Sequence, residues 1–507
     1  MTDSFNILYA VKKHSIYVVI LLIALLRIAG PIGKELWLDE LHSSLVCSLS
    51  IKDIVQPGEL GGYTPLYFII SKPFSEMNND FVARLPSLFF GLISLYVIVL
   101  IYRNLFSKAF LIPLLLAGIN PALLVFSSYH RMYSLYTLCA SLMLYFWLSS
   151  KKNSLLWTVI FSAATCLTFP NGIFYVLTLL LLSIISNNKE RIIKSIPSAI
   201  IALSLTFLYS FNGLNKLSEE LSISTVNRFP FITSVSWLSL IKFYMSGPIG
   251  FMHPVLRIFA VVLAIIGVTA IFYSLFKFAK GNSNLSTLIV FLLLPPLFEF
   301  AFRLIDISMF QYKSYLPSSL AIILLVSVMC ENIINGRYKI YGYFLLVILI
   351  TLSLIIDLTW IDPSKPFSMK EPRNDRYLSL LQKLEQPIFP YENEGKLVPV
   401  VLSGAEPVLV AMRYSPHLQR ILFAPTDPLT KVSIPGNYRE MFFQKIKESE
   451  IKIIKNDEIP AQAFWIGDNI PNSAVLVTKS KAGIPLFYIS NADQKEIESR
   501  SNESITQ

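Results

Sequence analysis

The feature that most constrains this chain is a succession of long apolar runs with almost no charge inside them. A run of about 18 or more apolar residues is long enough to cross the hydrocarbon of a bilayer as a helix, whereas a helix on a soluble core keeps a polar face. Such runs lie at about 14–31, 84–102, 109–126, 132–149, 154–169, 172–187, 194–211, 255–276, 285–301, 316–334 and 338–357, and they predict roughly eleven membrane helices. With 54% apolar residues and 15% charged ones over 507 positions, the composition excludes a soluble protein of this length.

The net charge of +10 would by itself suggest a nucleic-acid partner. The placement of the cations argues against that. Lys12 and Lys13 precede the first run, Arg103 and Lys108 separate the second from the third, and Lys151 and Lys152 follow the fourth. Lys189, Arg191 and Lys194, then Lys277 and Lys280, then Arg337 and Lys339 continue the series. Every second connection is short and basic, which is the positive-inside pattern. It predicts a cytoplasmic N-terminus, with the segments 32–83 and 212–254 and the tail after 358 on the other side. No small-residue cleavage site follows the first run, which therefore reads as an uncleaved anchor. Of the four cysteines only Cys47 lies outside the runs, so no disulfide framework is expected.

The expected architecture is an α-helical polytopic membrane domain over 1–357, followed by an extracytoplasmic α/β domain over 358–507. In the first outer loop, "LHSSLVCSLS" and "YTPLYFIISKPF" read as short amphipathic helices on the membrane surface. A Pro- and charge-rich linker, "WIDPSKPFSMKEPRNDR", opens the tail. "DRYLSLLQKLEQ" then reads as a helix. "KLVPVVLSG", "RILFAP", "AQAFWIG", "SAVLVTKS" and "IPLFYIS" read as short strands with turn residues between them, and "YREMFFQKIKESEIKIIK" as a helix running into a strand. Strands alternating with helices predict a small α/β core.

The chemistry gathers on one predicted side. "ELWLDELHSS" places Asp39 and Glu40 just beyond the first span. Carboxylates within hydrocarbon are costly, but at that depth they can face a wet cavity. Lys72, Arg84, His130, Arg131, Arg303 and Lys313 fall on the same side by topology. Guanidinium and ammonium groups there suit a phosphate headgroup held by charge-assisted hydrogen bonds. A polyprenyl phosphate is an anionic leaving group that such cations stabilise as a sugar departs. A carboxylate such as Asp39 can accept the proton of an attacking hydroxyl as general base. The reaction so described is a single displacement with inversion.

The order of these segments resembles the GT-C glycosyltransferases, specifically the protein-mannosyltransferase and aminoarabinose-transferase branch. The residues that carry the resemblance are "LDE" at 38–40, "YTPLYF" at 63–68, "ARLPSLFFG" at 83–91 and "HRMYSLYTL" at 130–138, with a looser match at "QYKSYLP", 311–317. It covers the first 140 residues well and the remainder by architecture. Two departures stand out: Tyr129 occupies the position of a family carboxylate, and Leu66 that of a second proline. The resemblance implies a glycosyltransferase moving a hexosyl or pentosyl unit from a polyprenyl-phosphate donor to a lipid, glycan or protein acceptor. It implies Asp39 as the catalytic base. Glu40, Lys72, Arg84, Arg131, Tyr133 and Lys313 are the expected substrate-binding residues. A divalent metal requirement is left open, with Glu40 and His130 as its candidate ligands. The competing readings are a lipid-linked saccharide flippase, or a polysaccharide ligase or polymerase. The absence of an internal repeat and the gathering of charge at one face favour the transferase over the transporter. The expected location is a bacterial inner membrane, with membrane lipids as neighbours and no nucleic acid.

Overall fold

The computed structural model describes residues 18–57, 64–106, 110–211, 237–248, 254–279, 283–303 and 312–361, apart from 33, 35, 37 and 78. Of the C-terminal part it describes 380–381, 398–403, 405–414, 421–423, 446, 449, 451–453, 462–467, 474–479 and 485–490. Residue contacts divide the chain into two units. The first comprises Met1–Lys34, Val46–Asn215 and Thr225–Lys370; the second comprises Glu35–Leu45, Lys216–Ser224 and Glu371–Gln507.

The first apolar run forms α1 (Val18–Ala29). The segment after it holds three short helices, α2 (Leu38–Cys47), α3 (Ile51–Val55) and α4 (Leu66–Ser75), so both amphipathic segments expected there are helical. Next come α5 (Asp80–Phe106), α6 (Leu111–Gly118), α7 (Pro121–Ser127) and α8 (Tyr133–Leu148). These are followed by α9 (Ser154–Thr168), α10 (Gly172–Ile185) and α11 (Lys189–Thr206), the last prolonged by a π-turn at Phe207–Phe211. The series ends with α12 (Trp237–Ser246), α13 (Pro254–Ala279), α14 (Ser283–Arg303), α15 (Leu316–Ile334) and α16 (Lys339–Ile361). Five helical stretches among the described residues are long and apolar enough to cross a membrane: Asp80–Phe106, Lys189–Tyr209, Val255–Ala279, Lys313–Ile334 and Lys339–Ile361. Others, including α1, α8, α9 and α10, are equally apolar but shorter.

Burial orders these helices. The Lys313–Ile334 stretch is 83% buried and forms the centre of the bundle, whereas Lys339–Ile361 is only 28% buried. The outward faces carry Leu21, Leu22, Ile258, Phe272, Ile340 and Phe344, all exposed. So much exposed aliphatic and aromatic surface suits a lipid solvent rather than water.

One expected span is corrected. The run at 109–126 is not one helix but two, α6 and α7, broken at Asn120–Pro121. Asn120 caps α7 by accepting the Leu123 N–H at 3.0 Å, and Pro121 fills the first turn, where no amide donor is needed. The break frees backbone carbonyls that hydrocarbon cannot satisfy. Arg27 of α1 supplies donors to them: Nη2 to Ala117 O at 3.3 Å, and Nη1 to Leu123 O at 3.3 Å and Ser127 Oγ at 2.7 Å. A side chain on Gly91 would lie 2.4 Å from Ser127 Cβ and 3.1 Å from Arg27 Nη1, so the glycine is what lets α5 approach this junction.

The second unit contains a six-stranded sheet built from β1 (Val400–Ser403), β2 (Ile421–Phe423), β3 (Lys452–Ile453), β4 (Gln462–Gly467), β5 (Ala474–Lys479) and β6 (Pro485–Ser490). Every strand expected from the sequence is present. The order is β3-β2-β1-β4-β6-β5, parallel from β3 to β4 and antiparallel at β6 and β5. Val400 pairs with Ile421 on one side and Phe464 on the other. Val400, Val401 and Leu402 are all buried, as a central parallel strand with both faces covered requires. The connection from β1 to β2 is not a turn, as its residues had suggested, but the helix α17 (Ala405–Tyr414). Parallel neighbours need such a crossover. The helices expected at 375–386 and 438–450 lie mostly outside the described residues.

Candidate active site

The site is built around the turn between α7 and α8. Tyr129, His130 and Arg131 occupy this turn, and all three are buried. The Arg131 N–H donates to Tyr129 O at 2.8 Å, a tight local closure. Its carbonyl accepts from Ser87 Oγ of α5 at 3.0 Å. The backbone of Arg131 is therefore pinned on both sides. Its guanidinium carbon stands 5.8 Å from the ring centroid of Tyr133, at the start of α8.

Lys313 reaches the same ring. Its Nζ lies 5.6 Å from the Tyr133 centroid. It sits on the 3-10 turn Tyr312–Tyr315 that leads into α15. That turn is positioned from α10: the Tyr175 hydroxyl meets Ser318 Oγ at 2.7 Å and accepts the Ser318 N–H at 3.1 Å. Tyr133 is in turn held edge-on by Phe126, with ring centroids 5.0 Å apart. Two cations far apart in sequence thus converge on one fixed aromatic ring, within the range over which a ring quadrupole attracts charge.

Lys72 and Arg84 are engaged with backbone. Lys72 Nζ donates to Cys47 O at 2.9 Å and Leu49 O at 2.7 Å, which satisfies carbonyls at the C-terminal end of α2. It also pairs with Glu76 at 2.7 Å. Arg84 is buried and donates through Nη1 to the carbonyl of Lys34, with Pro31 O at 3.5 Å. Lys34 donates to the Trp360 carbonyl and lies 3.8 Å from the Trp360 ring centroid. The segment leaving α1 is thereby fastened both to α5 and to the end of α16. Lys34 was not among the expected site residues. Its partner Trp360 is over 300 positions away, and no local pattern marks the pair.

His130 is fully buried. Nδ1 lies 3.1 Å from the Tyr67 hydroxyl, and Nε2 lies 4.0 Å from Cys47 Sγ. Tyr67 meets Ser87 Oγ at 3.0 Å. Burial pushes the Cys47 thiol up to about 12. Among the described residues no three His, Cys, Asp or Glu side chains are grouped as metal ligands would be.

Asp39 and Glu40 lie in the first turn of α2, where a carboxylate complements the helix dipole. Adjacent helical positions point about 100° apart. Accordingly Asp39 is half-buried while Glu40 is fully buried. The Asp39 carbonyl accepts from Ser43 Oγ at 3.1 Å. Within the second unit, the Leu36 N–H donates to the Tyr414 hydroxyl of α17 at 2.8 Å. The side chain of Arg303 lies outside the described residues.

No family model matches the chain, and no curated protein sequence matches it. Solved structures do. ArnT from Cupriavidus metallidurans in the apo state superposes with a TM-score of 0.56 at 11% identity, over 94% of this chain and 98% of that one. The same protein bound to undecaprenyl phosphate superposes with a TM-score of 0.55 at 11% identity, with the same coverage. The likeness runs nearly end to end. The fold of this chain is that of ArnT from Cupriavidus metallidurans.

Proposed function

We propose that the chain is an inverting glycosyltransferase. It moves a hexosyl or pentosyl unit from a polyprenyl-phosphate donor to a hydroxyl of a lipid, glycan or protein at the outer face of a bacterial inner membrane. The observation that carries this reading is the convergence of Arg131 and Lys313 on Tyr133. It occurs within a fold shared with a protein crystallised with undecaprenyl phosphate. In this reading Arg131 and Lys313 hold the donor phosphate and stabilise the charge that grows on it as the glycosidic bond breaks. Tyr133 fixes the two cations relative to each other. Asp39 removes the proton of the acceptor hydroxyl as it attacks the anomeric carbon opposite the phosphate. Glu40, on the buried side of the same helical turn, orients the acceptor segment. Lys72 and Arg84 serve the site by fixing the backbone on either side of the acidic motif. The basic connections support a cytoplasmic N-terminus and an extracytoplasmic sheet unit.

The test is mass spectrometry of surface lipids and glycans from three strains. In one the gene is deleted; the others are complemented with wild type or with Asp39→Asn at equal membrane expression. One sugar unit should vanish on deletion, return with wild type and stay absent with Asp39→Asn. Full restoration by Asp39→Asn would remove Asp39 from the mechanism. Accumulation of a lipid-linked precursor with loss of whole glycan chains would favour a flippase or ligase instead.

A further inference from the structure

We propose that Tyr67, Ser87 and His130 form a proton-ordered relay that positions Arg131, and that His130 within it is the Nδ1–H tautomer. The positioning role rests on reading Arg131 as a phosphate ligand; the tautomer does not.

The argument is a count of hydrogens. A carbonyl only accepts, so the 3.0 Å contact between Ser87 Oγ and Arg131 O uses the single hydroxyl hydrogen of Ser87. Ser87 Oγ must then accept in its 3.0 Å contact with Tyr67. That uses the single hydroxyl hydrogen of Tyr67. Its oxygen therefore accepts from His130 Nδ1 at 3.1 Å, and Nδ1 carries a hydrogen. In the neutral ring Nε2 then holds the lone pair, and it faces the thiol of Cys47 at 4.0 Å. Every hydrogen in the chain from His130 to the Arg131 carbonyl is assigned, and none of these hydrogens can be reversed singly.

The relay also explains why the pieces come from separate elements. Tyr67 belongs to α4, Ser87 to α5, and His130 and Arg131 to the turn before α8. Tyr67, Ser87 and His130 are all 0% exposed. A polar chain buried this deeply holds one geometry because breaking any link strands a donor or acceptor away from water. The direction of the chain ends on the peptide oxygen of Arg131, whose N–H is already committed to Tyr129. The peptide planes flanking Arg131 are thereby fixed, and with them the origin of its side chain near Tyr133. Tyr67, Ser87 and His130 are positioning residues; none is assigned contact with the reacting atoms.

Histidine-selective ¹⁵N labelling of the full chain in nanodiscs tests the tautomer directly. The chain has five histidines, so the His130 signals are identified by their loss in His130→Gln. The expected result is a protonated Nδ1 and an unprotonated Nε2, with the pattern displaced in Tyr67→Phe. An Nε2–H tautomer in the wild type overturns the proposal. The positioning role is tested by titrating undecaprenyl phosphate into the same samples by native mass spectrometry, with undecaprenol as the phosphate-free control. Tyr67→Phe and Ser87→Ala should weaken the phosphate lipid by about 5–30-fold, the range expected for one buried hydrogen bond, while Ser87→Thr retains affinity and undecaprenol is unaffected. Wild-type affinity in both Tyr67→Phe and Ser87→Ala overturns the positioning role. A wild type that discriminates nothing between the two lipids overturns the phosphate reading itself, and the ¹⁵N result then still decides the tautomer.

Discussion

Arg131 and Lys313, 182 positions apart, stand 5.8 and 5.6 Å from the centroid of the same tyrosine ring, that of Tyr133. In the proposed reading both cations hold the donor phosphate beside this ring. Replacing Lys313 by Met keeps the stem and removes the charge. It should weaken undecaprenyl phosphate binding by about 10-fold or more, since a hydrogen bond to a charged group contributes about 1.5–3 kcal/mol. Undecaprenol binding should not change. Equal affinity of Lys313→Met and wild type for the phosphate lipid would place the anion elsewhere.

A second relationship sits within the helices. Asp357 of α16 is fully buried, and neither carboxylate oxygen has a hydrogen-bond partner among the described residues. The charge that acts on it is that of Arg27, which also serves the broken span. Arg27→Met should destabilise the protein by about 1–3 kcal/mol, the range for leaving a buried acceptor without its donor, since Ala117 O and Leu123 O lose theirs. Asp357→Leu should be neutral or stabilising, since it removes a buried polar group with no hydrogen-bond partner among the described residues. Thermal denaturation in detergent reads both. Unchanged stability of Arg27→Met would mean that those carbonyls find other donors.

Cys47 gives a prediction about reactivity. All four cysteines are free and buried, and burial holds the Cys47 thiol at about 12, above its ordinary 9.0. The sign follows: the folded chain keeps this proton more tightly than the unfolded one. The stability that this supplies is complete below the ordinary thiol value and is lost as pH rises from there towards about 12. At pH about 7.5 the thiolate, the form that reacts, is essentially absent in the folded state. A maleimide should leave Cys47 unmodified in membranes and modify it after denaturation. Rapid labelling of native protein at Cys47, located by peptide mass spectrometry, would contradict this.

In the second unit, the Leu36 amide donates to the Tyr414 hydroxyl, three residues before Asp39. This gives the C-terminal domain a physical hold on the acidic segment. Tyr414→Phe should speed hydrogen exchange at the Leu36 amide by about 5–10-fold, as loss of one hydrogen bond allows, while the β1 amides exchange as before. If the Leu36 amide keeps its protection, the hold comes from packing instead.

What was legible in the sequence was local. Apolar runs set the positions of the helices because bilayer thickness fixes their length, and ends such as 254, 316 and 339 fall within a few residues of expectation. Short apolar segments bounded by turn residues marked the strands. The break at Asn120–Pro121 had a local signal too, since Asn-Pro starts turns. Hydropathy summed over the run hid it.

Tertiary structure decided the rest, because those choices depend on partners remote in the chain. The broken span is tolerable because Arg27, some 90 positions earlier, donates to Ala117 O and Leu123 O. Arg84, an expected substrate-binding residue by its motif, also reaches the Lys34 carbonyl through its guanidinium. That contact exists only once α1 and α5 are packed. The parallel order at β1 is likewise set by the crossover of α17 and not by any feature of the strand itself. Sequence alone determined that this is a membrane chain with an acidic pair beyond its first helix, because hydrophobic length and charge asymmetry act residue by residue. Only the packed fold decided which cation faces which group, because each buried donor must find an acceptor and that acceptor is supplied by another helix.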